Sequence, residues 1–447
     1  MNGRTPQQNS ISDVLSALQK LPTAMSGYYW SEAMNPTIRL GTFQAQLKAG
    51  GIRDKRPAVA SLVCEPSPRI VYEALEGVST EFFFAAFEHR DIVTVPHLEE
   101  VPDRPHGVRF PDERFSGSLP PTEVGSGRAL EKVRFVVFNF PDIAGHAIRN
   151  KTAIRASRLV LASDRWTVAM DGVRDLGNRL RQARARGAYI ISHAGELRAT
   201  DGSAFSSDEA QDVLTALYYL MSFACGARTG PALPVGYAKA SRKPAWAHWA
   251  VRAIDPYEGT FAWFDKHHPE SLSAIFEPFL HKWHDARNRD MLQRVISGFV
   301  QAHDPDPIEN SIVAIQIALE TLSWFMKTGP PTEPGAGGRI AKLLSESGIP
   351  AEIPASMSNL RSAAASHRWA HGPHAIVEIR NDIVHSDRSR VVDLDVLVDA
   401  WRLSLWYLEL VLLRWLGYEG VHNRRIERNR VTGKVQPVPW TRPGMPS

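Results

Sequence analysis

The residues best suited to carry chemistry lie together in one stretch, HAIVEIRNDIVHSDRS, residues 374–389. On a helix, Asn381 and His385 are four residues apart and therefore lie on the same side. Arg380 lies about 140° round the helix from His385, and its long side chain can reach toward the imidazole. A guanidinium forks onto an oxyanion such as a phosphodiester, and an imidazole exchanges protons near neutral pH. The set therefore predicts chemistry on a phosphate ester.

This arrangement requires the stretch to be helical. Ile376, Ile379 and Ile383 recur at i, i+3 and i+7, which is the apolar face of an amphipathic helix. A second copy of the Arg–polar–His pattern runs from Arg90 to His97, but its β-branched residues alternate and a proline precedes the histidine. That copy predicts a strand that ends at the proline. The chemical hypothesis therefore depends on the first stretch.

The composition predicts an ordinary globular protein. The chain has 447 residues, of which 43% are hydrophobic and 22% charged, enough for two or three domains. A net charge of +4 favours an anionic partner. The two cysteines, Cys64 and Cys225, lie far apart, which indicates a reducing compartment. A polar N-terminus and the lack of any apolar run of about 20 residues predict a cytoplasmic protein without a signal peptide or membrane span.

The N-terminal half reads mainly as short strands separated by turn residues, which suggests a sandwich or barrel. Residues 159–170 read as a hairpin with its turn at Ser163 and Asp164. Residues 228–251 read as a loop that carries several tryptophans. Further strands are predicted at 57–64, 69–75, 81–88, 91–97, 133–140 and 189–197, and helices at 11–21, 173–187 and 206–226.

The C-terminal part is predicted to be helical. Helices are predicted at 272–286, 290–303, 309–327, 339–350, 357–370 and 396–418, besides the stretch with Arg380. Several helices joined by loops within roughly 115 residues indicate an antiparallel bundle. The fold class is therefore α+β, a β-rich N-terminal domain followed by an all-α bundle. The predicted boundaries are 1–230 for the β-rich domain, 231–300 for a helical connecting region, 301–425 for the bundle and 426–447 for a basic tail.

An arginine, a polar residue directly after it and a histidine four to six residues on, within a helix, resemble the signature motif of the HEPN superfamily. The resemblance extends over about residues 305–440, through ALETLSWF, IRNDIVHS, YLELVLLRWLGYEG and the closing PVPW. These segments are similar to the C-terminal HEPN domains of ApeA-like anti-phage proteins, in which a β-rich domain precedes the bundle.

The resemblance implies a metal-independent endoribonuclease of a prokaryotic defence or toxin system. His385 would take the proton of the RNA 2′-hydroxyl, Arg380 would hold the charge of the phosphorane, and Asn381 would orient the imidazole or bind a phosphate oxygen. One histidine does half of the acid–base work, so the resemblance also implies a homodimer with two motifs at one cleft. The β-rich domain would receive a trigger, either phage-derived or a nucleotide, and no cofactor is expected.

Two alternatives stay open at this point. The bundle could be a catalytically inactive HEPN module, a dimerising scaffold that binds nucleic acid or a nucleotide, or Arg380 and His385 could pair with neighbouring carboxylates. No metal site is expected, because His281 and His284 lack further ligands and Gly372 and Pro373 interrupt the histidines before the motif. The C-terminal basic residues could follow an RNA backbone or form a solvated end. The predicted RNA contacts are Arg388, Arg424, Arg425 and Arg428.

Overall fold

A computed structural model describes most of the chain. It covers residues 19–49, 51–75, 82, 116–150, 153–304, 307–326, 329–331, 333–385, 392–427 and 431–441. Most of the helix predicted at 11–21, the strands predicted at 81–88 and 91–97, and the second Arg–His pattern lie outside these residues, apart from Phe82.

A four-stranded antiparallel sheet forms the first layer. Its order is β1-β2-β3-β4, so each strand pairs with its neighbour in sequence. Gly51, with φ of +85°, lies between the paired strand ends and allows the tight turn from the first strand to the second. The strands are β1 (Ile38–Ala49), β2 (Ile52–Val63), β3 (Arg69–Ala74) and β4 (Ser116–Ser118).

An eight-stranded antiparallel sheet forms the second layer, in the order β5-β12-β11-β6-β10-β9-β8-β7. The predicted hairpin is confirmed, because β8 and β9 flank a turn at residues 163–165. The strands are β5 (Thr122–Gly125), β6 (Lys132–Phe138), β7 (His146–Arg149), β8 (Ile154–Ala162), β9 (Trp166–Gly172), β10 (Ile191–Ala199), β11 (Gly230–Tyr237) and β12 (Trp246–Trp249).

The prediction of a loop over 228–251 is wrong. Strands β11 and β12 lie in this segment, and the boundary predicted at residue 230 therefore divides the sheet. β11 contains two prolines, Pro231 and Pro234. The register shift between Ala232 and Val235 takes up the second proline, and Leu233 adopts φ of +51° there.

Helices dominate the C-terminal half, whereas the N-terminal half carries the large antiparallel sheet, so the coarse prediction of strands before helices is confirmed. A short hairpin of β13 (Val421–Asn423) and β14 (Val435–Pro437) follows the last helix. No helix within the described ranges is long and apolar enough to cross a membrane. The helices are α1 (Leu176–Arg186), α2 (Ser207–Cys225), α3 (Glu270–His284), α4 (Ala286–Gln301), α5 (Ile308–Phe325), α6 (Gly335–Glu346), α7 (Ser358–His367), α8 (Gly372–Val384) and α9 (Leu394–Trp415).

The eight-stranded sheet separates two parts of the hydrophobic core. Along β6, Phe135 and Val137 belong to the cluster that also contains the buried faces of the helices, whereas Val136 and Phe138 belong to the cluster shared with the four-stranded sheet. This division follows from the alternation of side chains along a strand. The first cluster continues without interruption to Leu413 of α9, so the sheet and the C-terminal helices share one core.

The first turn of α2 offers a direct test of local stability. Ser206 Oγ accepts the backbone N–H of Glu209 at 3.2 Å, and the Glu209 carboxylate accepts the backbone N–H of Ser206 at 2.9 Å, a complete capping box. We expect Ser206→Ala to lower the free energy of unfolding by about 1 kcal/mol, because buried α2 loses its cap. Urea unfolding measures this loss. Ser362→Ala, at an exposed position inside α7, is the matched control and should change stability by less than about 0.5 kcal/mol.

Candidate functional site

Helix α8 holds the motif residues. Its N-cap is His371, whose Nδ1 accepts the backbone N–H of His374 at 3.1 Å. The apolar face is as predicted: Ile376 and Ile379 are buried, and Ile383 packs against the same core at its edge. This face lies against α5, α6 and α9. The opposite, solvent-facing side of the last helical turns therefore carries the polar motif residues.

Arg380 and Asn381 contact each other at the C-terminal end of α8, and His385 follows directly after the helix. Arg380 Nη1 donates to Asn381 Oδ1 at 3.3 Å, and the backbone N–H of His385 donates to the carbonyl oxygen of Asn381 at 3.0 Å. The helix ends at Val384, and His385 has extended backbone angles, φ −102° and ψ 105°. His385 is thus the C-cap, not a residue of the last turn as predicted, and its direction is set by extended backbone.

The three motif side chains differ in their exposure. Arg380 and Asn381 are half-buried, whereas His385 is exposed. Asn381 Nδ2 also lies 3.4 Å from the carboxylate of Glu378. Within the described residues, no carboxylate forms an ion pair with Arg380 or His385, and the buried Nε of Arg380 has no hydrogen-bond partner. The end of the helix therefore holds a half-buried guanidinium and a half-buried amide, followed by an exposed histidine.

The predicted RNA contacts separate into three groups. Arg388 and Arg428 lie outside the described residues. Arg424 is at the surface, where its guanidinium pairs with Glu427 at 2.9 Å with about four-tenths of each side chain exposed. Arg425, in contrast, is 1% exposed, so the prediction that its side chain contacts RNA is wrong.

Arg425 is instead the centre of a buried polar network. Its guanidinium donates to both carboxylate oxygens of Glu409, at 2.9 and 2.6 Å, and also to the carbonyl oxygen of Phe261. His303 Nδ1 donates to the carbonyl of Phe299, so its Nε2 accepts from Arg425 at 2.9 Å. Burial raises the pKa of Glu409, and Arg425 opposes that shift. Sequence reasoning missed this network, although a glutamate within apolar α9 was the available signal.

Hydrogen bonds hold the segment after α9 against the rest of the protein. Asn423 donates to the carbonyl oxygens of Ala262 and Phe264 at 2.8 and 2.9 Å. Arg402 donates to the carbonyl oxygen of Arg425 at 2.9 Å. These bonds and the β13–β14 hairpin give residues 421–427 and 431–441 a defined conformation, so the alternative of a solvated, unstructured end does not describe them.

His371 and His374, which precede the motif, contact other residues of the protein. His371 Nε2 lies 3.0 Å from Glu333, and His374 Nδ1 accepts the backbone N–H of Ala370 at 3.1 Å. In the part of the chain that the structure describes, no three His, Cys, Asp or Glu side chains are placed to hold a metal ion. These side chains have structural partners at the start of α8, about 20 Å of helix away from His385.

The class of protein is indicated by comparison with known families. Residues 125–260, which include the strands β6 to β12, match the model of the YopA central domain. Residues 285–436, which include α4 to α9, match the model of the YopA C-terminal domain.

A relative covers most of the chain. It is the SPbeta prophage-derived uncharacterized protein YopA of Bacillus subtilis (strain 168), 28% identical over 396 residues, which are 84% of this chain and 88% of that protein. No solved structure matches the chain.

Proposed function

We propose that the chain is a metal-independent endoribonuclease of a prokaryotic defence or toxin system, with a HEPN-like helical bundle in its C-terminal part. The observation that carries the proposal is that Arg380 and Asn381 are hydrogen-bonded to each other at the end of α8, directly before the exposed His385, with no carboxylate ion-paired to Arg380 or His385 within the described residues. The name of the relative, which is prophage-derived, fits a role in the conflict between phages and bacteria.

The proposed chemistry uses the nucleophile that RNA itself supplies. His385 removes the proton of the 2′-hydroxyl, the oxygen attacks the adjacent phosphorus, and a second acid protonates the leaving 5′-oxygen. Arg380 donates to the phosphorane oxygens, and Asn381 keeps the guanidinium in place through its Oδ1. The products are a 2′,3′-cyclic phosphate and a 5′-hydroxyl, and the reaction needs no metal ion.

One imidazole cannot serve as both base and acid at the same instant, which favours a homodimer with two motifs at one cleft. The motif lies at the end of α8, and Val384, directly before His385, is an apolar side chain that is 48% exposed. The interface would therefore include this end of the helix.

The test is RNA cleavage by the purified full chain in the presence of EDTA. We expect cleavage of RNA but not of DNA, since DNA has no 2′-hydroxyl, and RNA fragments with 2′,3′-cyclic phosphate ends. Cleavage that EDTA abolishes, or 3′-hydroxyl products, would contradict the mechanism. RNA binding without cleavage would instead support the alternative of an inactive HEPN scaffold, for which the surface guanidinium of Arg424 is a ready phosphate contact.

A further inference from the structure

A cavity of about 570 Å³ lies in the β-rich part of the protein, at the start of α1. Small-molecule sites in proteins have volumes of roughly 300–1,000 Å³, so this cavity is large enough for a mononucleotide. Residues from the loop after β6, from β8, from the turn after β9, from α1 and from the loop before α3 line it. It is remote in sequence from the α8 motif, and an inference about it is independent of the proposed ribonuclease.

Cationic side chains outnumber anionic ones around this cavity. The acidic residues are Asp142 and Asp175. Burial raises the pKa of Asp142, which indicates that its carboxyl lies in a partly desolvated position. The cationic residues are Arg155, Arg181, Arg184 and Lys266.

The helix N-terminus adds backbone donors to these cations. Asp175, the N-cap of the 11-residue helix α1, has φ of +55° and makes no side-chain capping bond. Gly177 lines the cavity, and its backbone N–H bonds the Asp142 carboxyl. A carboxylate already occupies a position where an anion is favoured, because the N–H groups of the first turn and the helix dipole attract negative charge.

A buried hydroxyl without a partner provides a second, independent sign of a ligand. Ser157 lines the cavity and is 5% exposed, and its Oγ has no hydrogen-bond partner among the described residues. On the adjacent strand, Gly172 has no side chain to fill the space; a Cβ there would lie 3.3 Å from Ser157 Cβ and 3.5 Å from His193 Nε2. Buried polar atoms normally have hydrogen-bond partners, so the cavity wall at Ser157 is suited to contact with a polar atom of a ligand.

Arg155 also has a buried polar atom without a hydrogen-bond partner among the described residues. Burial lowers the pKa of its guanidinium, and its Nε has no partner within the part of the chain that the structure describes. A half-buried guanidinium without a full set of acceptors is a strong binding group for a phosphoryl oxygen, because its planar fork matches that geometry and competing water is partly excluded.

The geometry points to a binding site for the phosphoryl group of a small molecule, held by Arg155 and Lys266 beside the N-terminus of α1. Tyr257 also lines the cavity and would lie beside the rest of the ligand. A nucleoside monophosphate has the matching chemistry and size.

The test is calorimetric titration of the full chain with inorganic phosphate, AMP and adenosine. We expect saturable binding of AMP, weaker binding of phosphate and none of adenosine. Equal affinities for phosphate and AMP would assign the site to a free phosphate, which keeps the phosphoryl chemistry and removes the nucleotide. Arg155→Gln should weaken AMP binding about tenfold or more. Asp142→Asn should strengthen it several-fold, since a competing carboxylate is removed.

The matched control is Arg186→Ala, because Arg186 lies exposed on the same helix and does not line the cavity. It should leave AMP affinity unchanged. Thermal unfolding of each variant establishes that it is folded. The absence of saturable heat with AMP and with phosphate, each titrated to about 10 mM, would overturn the proposal. So would AMP binding that Arg155→Gln and Asp142→Asn leave unchanged.

Discussion

Replacing His385 with alanine is expected to reduce RNA cleavage by about 10²–10⁴-fold, the contribution of a positioned general acid or base. The physical reason is that the 2′-hydroxyl loses its proton acceptor while the guanidinium of Arg380 and the rest of the site stay in place. Stability should hardly change, since His385 is exposed and its bond to Asn381 uses the backbone N–H, which alanine keeps. Cleavage rates with excess enzyme and a labelled RNA measure the effect.

The control is His281→Ala. His281 is also an exposed histidine on a helix, α3, but it lies outside the motif. It should cleave RNA at the wild-type rate. Arg380→Lys adds a second line of evidence, because lysine keeps the charge but loses the forked contact, so cleavage should fall even though the net charge is unchanged. If the His385→Ala protein cleaves as fast as wild type, the assignment of the base is wrong.

Replacing Arg425 with alanine is expected to lower the free energy of unfolding by about 3–5 kcal/mol, because it leaves Glu409 buried without its cation. The adjacent Arg424→Ala is the matched control: it and its partner Glu427 are about four-tenths exposed, and the loss should be about 0–1 kcal/mol. Urea unfolding of both variants compares the two directly. Equal losses would contradict the buried position of Arg425.

The Arg425→Ala variant should also respond to pH in a defined direction. Burial raises the pKa of Glu409 above its ordinary 4.5, and Arg425 is the group that opposes this shift. Without Arg425, the folded state holds a proton that the unfolded state releases above pH 4.5, so stability falls as pH rises beyond that value. The gap in unfolding free energy between variant and wild type should therefore widen from pH 5 to pH 8. A second variant that adds Glu409→Gln should remove this widening.

The sequence predicted elements whose pattern is local. The spacing of Ile376 and Ile379 predicted the buried face of α8, and Ser206 with Glu209 predicted the start of α2. The sequence did not predict features that depend on contacts between residues far apart in the chain. Arg424 and Arg425 are adjacent and chemically identical, and Arg425 is the one whose partners, Glu409 and His303, lie far from it in sequence and are buried.

Two other failures have the same origin. Pro231 and Pro234 read as loop residues because their effect on pairing depends on the bulge between β11 and β6, which no single strand reveals. Helix α8 ends at Val384 because His385 has an extended backbone. The sequence did not predict this end, and helix ends are the part of a helix that is hardest to predict. Arg380 and Asn381, which precede that end, lie where the helical pattern put them.

The shared core has a consequence for how this architecture can be rearranged. Apolar side chains run unbroken from the eight-stranded sheet into α9, and Asn423 and Arg425 hydrogen-bond to the backbone at Phe261, Ala262 and Phe264. A fragment that begins near residue 301 would expose the apolar surface that faces the sheet and would lack those carbonyl acceptors. The N-terminal and C-terminal halves therefore cannot be exchanged independently. A chimaera between relatives should fold only when the eight-stranded sheet and the helices that pack against it come from the same parent.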